Sequence, residues 1–287
     1  MNMKLAFKNI ILKNISNLIQ ILLETKFGRI VASLIISESF NKNKIVEYNN
    51  IKMIFTIPNN KSLFRVNTFS TKEPETLDWI DSLSNDCIIW DIGANIGLYS
   101  IYAAKIKNKS KIFAFEPSVF NLELLARNIY LNKLEDRIVI IPTPINENTL
   151  INKMYMSNTD WGGAMSTFGN DLGWDGNPIN KSFVYNTLSI SLDDMINKFN
   201  LQLPNYIKMD VDGIEHLLLK SGEKVMNNVD SIIIEINDDF IEQKINAERL
   251  LEKYGFKLAS KLHSERYNES KRFKNSYNQV WEKIIDK

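Results

Sequence analysis

Ile88-Ile89-Trp90-Asp91-Ile92-Gly93-Ala94-Asn95-Ile96-Gly97 is a short apolar run that ends in an acid and passes into a turn punctuated by glycines. The following stretch, Leu98 to Lys107, reads as a helix. Strand, glycine loop and helix in that order make the first corner of a nucleotide-binding α/β unit, where a ligand can approach bare backbone. The acid restricts the ligand. A pyrophosphate at that helix N-terminus would be repelled by Asp91, whereas a ligand carrying positive charge there would not.

Strands and helices alternate from Cys87 onward. Ile112–Phe115 reads as a second strand ending at Glu116, and Ser118 can cap a helix in which Leu122, Leu125 and Ile129 share a face. Arg137–Ile141, Tyr206–Met209 and Ser231–Ile236 read as third, fourth and fifth strands. The helices Ile214–Lys220 and Ile241–Tyr254 follow the last two, stopped by Gly222 and Gly255. Phe256–Leu262 and Gln279–Ile284 complete the set. Nearly continuous apolar strands separated by helices imply a doubly wound, mostly parallel sheet. Ahead of it, Glu75–Leu83 reads as a helix, and Ile51–Ile57 pairs with Ser62–Thr68 across a Pro58-Asn59-Asn60 turn. Residues 1–60 thus form a helical and hairpin extension to a domain spanning 61–287. The stretch 142–204 is too long for a plain connection, so it is read as a substrate-facing insert.

Glu116 stands 19 residues after Gly97, at a strand end. An acid at that spacing can accept hydrogen bonds from both ribose hydroxyls, although it can also simply cap the next helix. A ribose at one end and a cation at the other describe S-adenosylmethionine (SAM). An NAD-type dehydrogenase is disfavoured by Asp91 and by the missing G-x-G-x-x-G.

The ordered set Asp91-x-Gly93-x-Asn95-x-Gly97, Phe115-Glu116-Pro117 and Leu125-x-x-Asn128-x-x-x-Asn132 resembles the FkbM family of SAM-dependent methyltransferases. Lys208-Met209-Asp210-Val211-Asp212-Gly213-Ile214-Glu215 is similar to that family's fourth-strand signature, and Ser231–Glu235 to its fifth strand. Thr71-Lys72-Glu73-Pro74-Glu75-Thr76 resembles a segment of one branch. The similarity spans roughly residues 65–240. It implies a Rossmann-like seven-stranded methyltransferase sheet, with Asp91, Gly93, Asn95 and Gly97 along the methionine half of SAM and Glu116 at the ribose. It also implies a hydroxyl acceptor on a sugar or other small metabolite, as in surface-polysaccharide or glycolipid synthesis. Asn95 can instead serve only to fix the turn, and Gly97 only to permit close helix–strand packing.

Methylation of an alcohol needs alignment and removal of a proton. Asp210, at the end of the fourth strand, is the first candidate base, with Lys208 orienting it or forming a structural ion pair with it. His216 is a second candidate. Asp212, Trp161 and Trp174 are candidate acceptor contacts, the indoles stacking on a sugar face or else anchoring the insert. Asp212, Glu215, Glu235 and Asn237 could together hold a magnesium-like ion, but strand-end carboxylates are common without one and no metal is expected. The rival functions are methylation of a nucleic-acid or protein nitrogen and non-catalytic SAM binding. The Asn/Asp-Pro-Pro-aromatic signature of amino-group methyltransferases is missing after the fourth strand, where Asp210-Val211-Asp212-Gly213 stands.

A net charge of +1 over 287 residues gives no general pull toward nucleic acid. One cysteine, Cys87, excludes a disulfide framework, and its place in a strand suggests an inert buried thiol. Residues 1–40 read as one or two helices, with Ile11, Ile15, Leu18, Ile19 and Leu22 near helical spacing and Lys4, Lys8 and Lys13 beside them. They are read as a cap on the main domain or a homo-oligomer contact, with peripheral membrane contact as the alternative. Charges interrupt these segments before a spanning length, so no stable membrane insertion and a cytoplasmic location are expected. The basic group Lys271, Arg272 and Lys274 is read as a solvated face.

Overall fold

The computed structural model describes residues 2–270 and 272–284, with the side chains of residues 2–6, 8 and 9 excepted. Helices α1 (Asn2–Leu23) and α2 (Lys26–Asn41) lead to strands β1 (Asn43–Tyr48) and β2 (Ile51–Thr56). Three helices follow, α3 (Asn60–Asn67), α4 (Phe69–Lys72) and α5 (Pro74–Ser82). The alternating part begins with β3 (Ile88–Ile92), α6 (Leu98–Ile106), β4 (Lys111–Phe115), α7 (Val119–Leu131) and β5 (Ile138–Ile141). An insert supplies β6 (Ile151–Met156), β7 (Thr167–Phe168), β8 (Phe183–Leu188) and α8 (Leu192–Phe199). The chain then runs through β9 (Tyr206–Met209), α9 (Glu215–Lys220), α10 (Glu223–Asn228), β10 (Ser231–Asn237), α11 (Ile241–Lys253), β11 (Phe256–Leu262) and β12 (Ser276–Lys283).

Seven strands form the central sheet in the order β11-β12-β10-β9-β3-β4-β5. The five strands from β10 to β5 are parallel, and β12 alone runs against both its neighbours. The order reverses between β3 and β9, so their carboxyl ends open a crevice at the switch point. Alternation along each strand feeds two separate cores. Ile89, Ile112 and Ile233 pack with α5, α6, α7 and β2 on one face, while Trp90, Phe113, Ile232 and Ile234 pack with α9, α11 and the insert on the other. This is the doubly wound, mostly parallel architecture expected from the apolar strands. Cys87 is buried just before β3, its thiol donates to the Ser84 carbonyl, and burial pushes its pKa up to about 11.

The N-terminal region corrects three expectations. The hairpin pairs β2 with the preceding β1, and Ser62–Thr68 lies mostly in helix α3. Asn49 and Asn50 both take positive φ, +47° and +62°, the geometry of a tight two-residue hairpin turn. Asn59 caps α3 instead, accepting from the Ser62 amide at 2.8 Å. The helices α1 and α2 do not cap the domain, since every described α1 residue is exposed and only Gly28 and Phe40 of α2 are buried. Ser118 occupies the cap position of α7, but its hydroxyl makes no capping bond.

Asn128 and Asn132 clamp the hairpin to α7. The fully buried Asn128 accepts from the Thr56 amide and donates to the Ile96 carbonyl, both at 2.8 Å, so one side chain joins β2 to the turn after β3. Asn132 brackets Ile54, accepting from its amide and donating to its carbonyl. The insert folds into its own antiparallel sheet, ordered β7-β6-β8. Its Gly162–Ser166 stretch and Trp174 reach the crevice. Lys271 lies outside the described residues. Arg272 is more than a solvated charge, for its guanidinium stands 5.4 Å from the Trp174 ring centroid.

Candidate active site

The crevice is a cavity of about 720 Å³ walled by the turn after β3, the ends of β4, β9 and β10, the α3–α5 region and the insert. Gly93 stands where a side chain would be excluded by protein. Its φ is +90°, and an added Cβ would fall 1.8 Å from the Asp210 carbonyl oxygen. Gly97 meets the same limit from the other side, with φ +85° and Leu125 Cδ1 2.6 Å from the Cβ position. Gly97 therefore serves helix packing and does not line the cavity.

Glu116 is buried at the end of β4 and faces the cavity. One oxygen accepts from the Asn95 amide and the other from the Ser118 amide, each at 2.8 Å, with Asn121 adding a bond at 3.4 Å. Burial nevertheless pushes its pKa up to about 7. Asn95, at φ +51°, holds its own turn by accepting from the Ile96 amide. Its side chain also donates to the Gly163 carbonyl at 2.7 Å, so it lines the cavity and fixes the insert together.

Asp91 lies one layer behind the cavity wall. It is 2% exposed, one oxygen accepts from the Ser100 hydroxyl, and the other has no hydrogen-bond partner. That second oxygen stands 3.6 Å from Lys208 Nζ, which is also 3.5 Å from an Asp210 oxygen. Lys208 therefore bridges two carboxylates. Burial would lower its pKa, but Asp210 and Asp91 hold it above the ordinary lysine value. Burial would likewise raise Asp210, yet Lys208 and Lys72 hold it below the usual carboxylate range, so it is ionised at neutral pH. Lys208 and Asp210 both line the cavity, and Asp210 is the more open, 27% exposed against 6% for Lys208 and 3% for Asp91.

Asp212 also faces the cavity, at φ +62°, and accepts from the Met165 amide at 2.6 Å. Burial, with Asp210 adding to it, pushes its pKa up to about 6. Glu215 is turned to its own loop, accepting from the Val211 and Gly213 amides and from Gln243. Asn237 is spent likewise, donating to the Trp174 carbonyl and accepting from the Asp239 amide.

Besides Gly97 and Asp91, two further sequence candidates are missing from the cavity wall. His216 is 7% exposed, packs edge-on to Phe240 and is absent from the cavity wall; burial lowers its pKa. It is the second residue of α9, and neither it nor the preceding Glu215 is part of the cavity wall. Trp161 packs edge-to-face on Phe40 of α2, with ring centroids 4.9 Å apart, and anchors the insert from outside. Trp174 does line the cavity, beside Phe273 at 4.8 Å. Sequence reading missed the contributions of Arg65, Lys72, Glu73, Tyr99 and Asn121. Lys72 and Glu73 form an ion pair at the α4–α5 junction, with the glutamate buried and the lysine half-buried. The sequence signals for that pair were two adjacent opposite charges before Pro74, in a segment without periodicity, and the resemblance of Thr71–Thr76 to one branch of the family.

A seven-stranded sheet with a single antiparallel strand, a glycine turn at its switch point and an acid ending the neighbouring strand defines a Rossmann-like methyltransferase. The sequence profile of the methyltransferase FkbM domain matches residues 91–258. The chain belongs to the FkbM family of SAM-dependent methyltransferases. Among characterised proteins, the hexuronic acid methyltransferase AglP of Haloferax volcanii is 22% identical over 201 residues, covering 67% of this chain and 74% of that protein. The methyltransferase sdnD of Sordaria araneosa is 43% identical over 53 residues, only 18% of this chain and 20% of its own length. Among solved structures, a methyltransferase FkbM from Methylobacillus flagellatus aligns with a TM-score of 0.47 at 15% identity, over 78% of this chain and 55% of that one.

The residues present fit SAM. Glu116 keeps lone pairs toward the cavity after satisfying its backbone donors, and the Gly93–Asn95 backbone forms part of the wall. The unpartnered Asp91 oxygen is a buried acceptor beside that turn.

Proposed function

We propose that this methyltransferase acts on a hydroxyl of a sugar or other small metabolite. The observation that carries the reading is the Asp210–Lys208–Asp91 chain of charges, because it presents one ionised carboxylate to the cavity on the far side of the Gly93 turn from Glu116. SAM supplies an activated methyl carbon when bound. The protein's own part is alignment and proton removal. Asp210 accepts the hydroxyl proton as the acceptor oxygen attacks, and Lys208 holds Asp210 in place and tunes its charge. Glu116 would hold the ribose, while Asp91, in the layer behind, accepts from Ser100 and would attract the cofactor's amino group. Trp174 offers an aromatic face and Asp212 an acceptor for a neighbouring hydroxyl.

The cavity wall carries six carboxylates and five lysine or arginine side chains. That near balance suits a small polar acceptor better than a polyanion, which would need a clear cationic excess. The similarity to a hexuronic acid methyltransferase, at 22% identity, supports a carbohydrate acceptor. The setting we infer is cytoplasmic.

The test is a labelled-SAM transfer screen over sugar, glycolipid, protein and nucleic-acid acceptors. Transfer to a hydroxyl of a sugar or glycolipid is expected. Transfer to a nitrogen of nucleic acid or protein alone would overturn the acceptor assignment, and SAM binding with no transfer to any class would favour a non-catalytic role.

A further inference from the structure

The helices α1 and α2 present apolar side chains that the rest of the chain leaves uncovered. Ile11, Ile15, Leu18 and Leu22 fall at i, i+4, i+7 and i+11, one face of α1, and each is more than 40% exposed. On α2, Phe27, Ile30, Leu34 and Ile35 are exposed by 59–70%. A surface of this size is not an ordinary solvent face. Opposite the α1 stripe lie Lys13, Ser16 and Gln20, so the helix is amphipathic.

Charge identifies the occupant. Residues 1–30 hold Lys4, Lys8, Lys13, Lys26 and Arg29 against one acid, Glu24. The other 257 residues hold 30 basic and 33 acidic side chains, so the cationic excess sits in this segment alone. A second copy would bring two such cationic segments together. An anionic lipid surface would neutralise them while taking the apolar stripe. Among the described residues no helix is long and apolar enough to cross a membrane, which fits a helix lying in the interface. The far end of α2 is fixed to the catalytic domain, where Phe40 packs on Trp161 next to the cavity-lining Gly162 and Gly163.

We propose that α1 and α2 dock this enzyme on the surface of an anionic phospholipid bilayer. The apolar stripe enters the interface and the lysines meet the headgroups. The cavity is thereby held beside the membrane.

The experiment is flotation of the full-length chain with phosphatidylcholine vesicles, with and without phosphatidylglycerol. Binding that requires phosphatidylglycerol and weakens with salt is expected. The pair Lys13→Gln and Lys26→Gln should lower the partition constant by about tenfold or more. The pair Ile15→Glu and Leu18→Glu should abolish flotation, with unchanged circular dichroism and thermal unfolding of the catalytic domain showing that the variant is folded. A folded wild-type chain that fails to float with anionic vesicles would overturn the proposal. So would a stable dimer in sedimentation that dissociates on Ile15→Glu and Leu18→Glu without any vesicle binding, for the occupant would then be a second copy.

Discussion

Glu116→Gln removes one charge and one acceptor atom while keeping the side chain's shape. In the wild type each carboxylate oxygen receives a backbone amide at 2.8 Å. A glutamine must turn its NH₂ toward either the Asn95 or the Ser118 amide, donor against donor. A hydrogen bond to a charged group contributes about 1.5–3 kcal/mol, and two ribose hydroxyls are expected at this carboxylate. With one acceptor left, the loss is about 2–4 kcal/mol, or roughly 30- to 1,000-fold in the dissociation constant for SAM. Isothermal titration calorimetry measures it, with circular dichroism confirming the fold. The same position sets a pH dependence. Burial raises the free protein's Glu116 to about 7, while the ribose hydroxyls favour the carboxylate. Wild-type binding should therefore release a proton below about pH 7 and strengthen with rising pH until that carboxyl is ionised. Glu116→Gln should lose that pH dependence. An affinity within about threefold of wild type would refute the ribose assignment.

Asp210→Asn should bind SAM nearly as well as wild type and lower turnover by about 100-fold or more with a hydroxyl acceptor; surviving activity would place the base elsewhere. His216→Phe should leave turnover within about tenfold of wild type, and a larger loss in steady-state assays would restore the imidazole as a base. Gly93→Ala forces a Cβ against the Asp210 carbonyl at a left-handed φ, so it should cost several kcal/mol, visible as a depressed melting temperature. Glu116 and Glu215, both raised to about 7, and Asp212, raised to about 6, hold protons in the folded chain that the unfolded chain has lost. The ligand-free protein should therefore lose stability as pH rises from about 4.5 toward 7, measured by thermal melts across that range, and a rise in stability there would contradict the burial of these groups.

The sheet was readable because its strands are short apolar runs ended by Asp91, Glu116 and Asp210, and each pattern has a single economical explanation. The same residues carried the expectation for the cofactor half of the site. The structure nevertheless redistributes their work: Gly93 and Gly97 are required by protein neighbours, and Asp91 acts from behind the wall. Three features resisted. The hairpin turn is built from Asn49-Asn50, which carries no glycine, whereas Pro58-Asn59-Asn60 looks more like a turn and is a helix start. The phase of a six-residue helix cannot be set from sequence, so His216 was read on the wrong side. Lys72 and Glu73 enter the site from a junction with no periodicity, where only tertiary packing decides which way a side chain points.

At the Gly162–Gly163 corner of the insert the carbonyls accept from Arg65 of α3, Asn95 of the turn after β3 and Asn121 of α7, and the Gly162 amide donates to Asn121. On the roles proposed above for the insert and the Gly93–Asn95 turn, acceptor choice and cofactor binding are not modular. An insert grafted from a relative to change the acceptor would arrive without its three anchors unless those positions travelled with it. Conversely, a substitution at Asn121, remote in sequence from the insert, would change acceptor preference and SAM affinity together, so directed evolution of this scaffold has to sample the two regions as one unit.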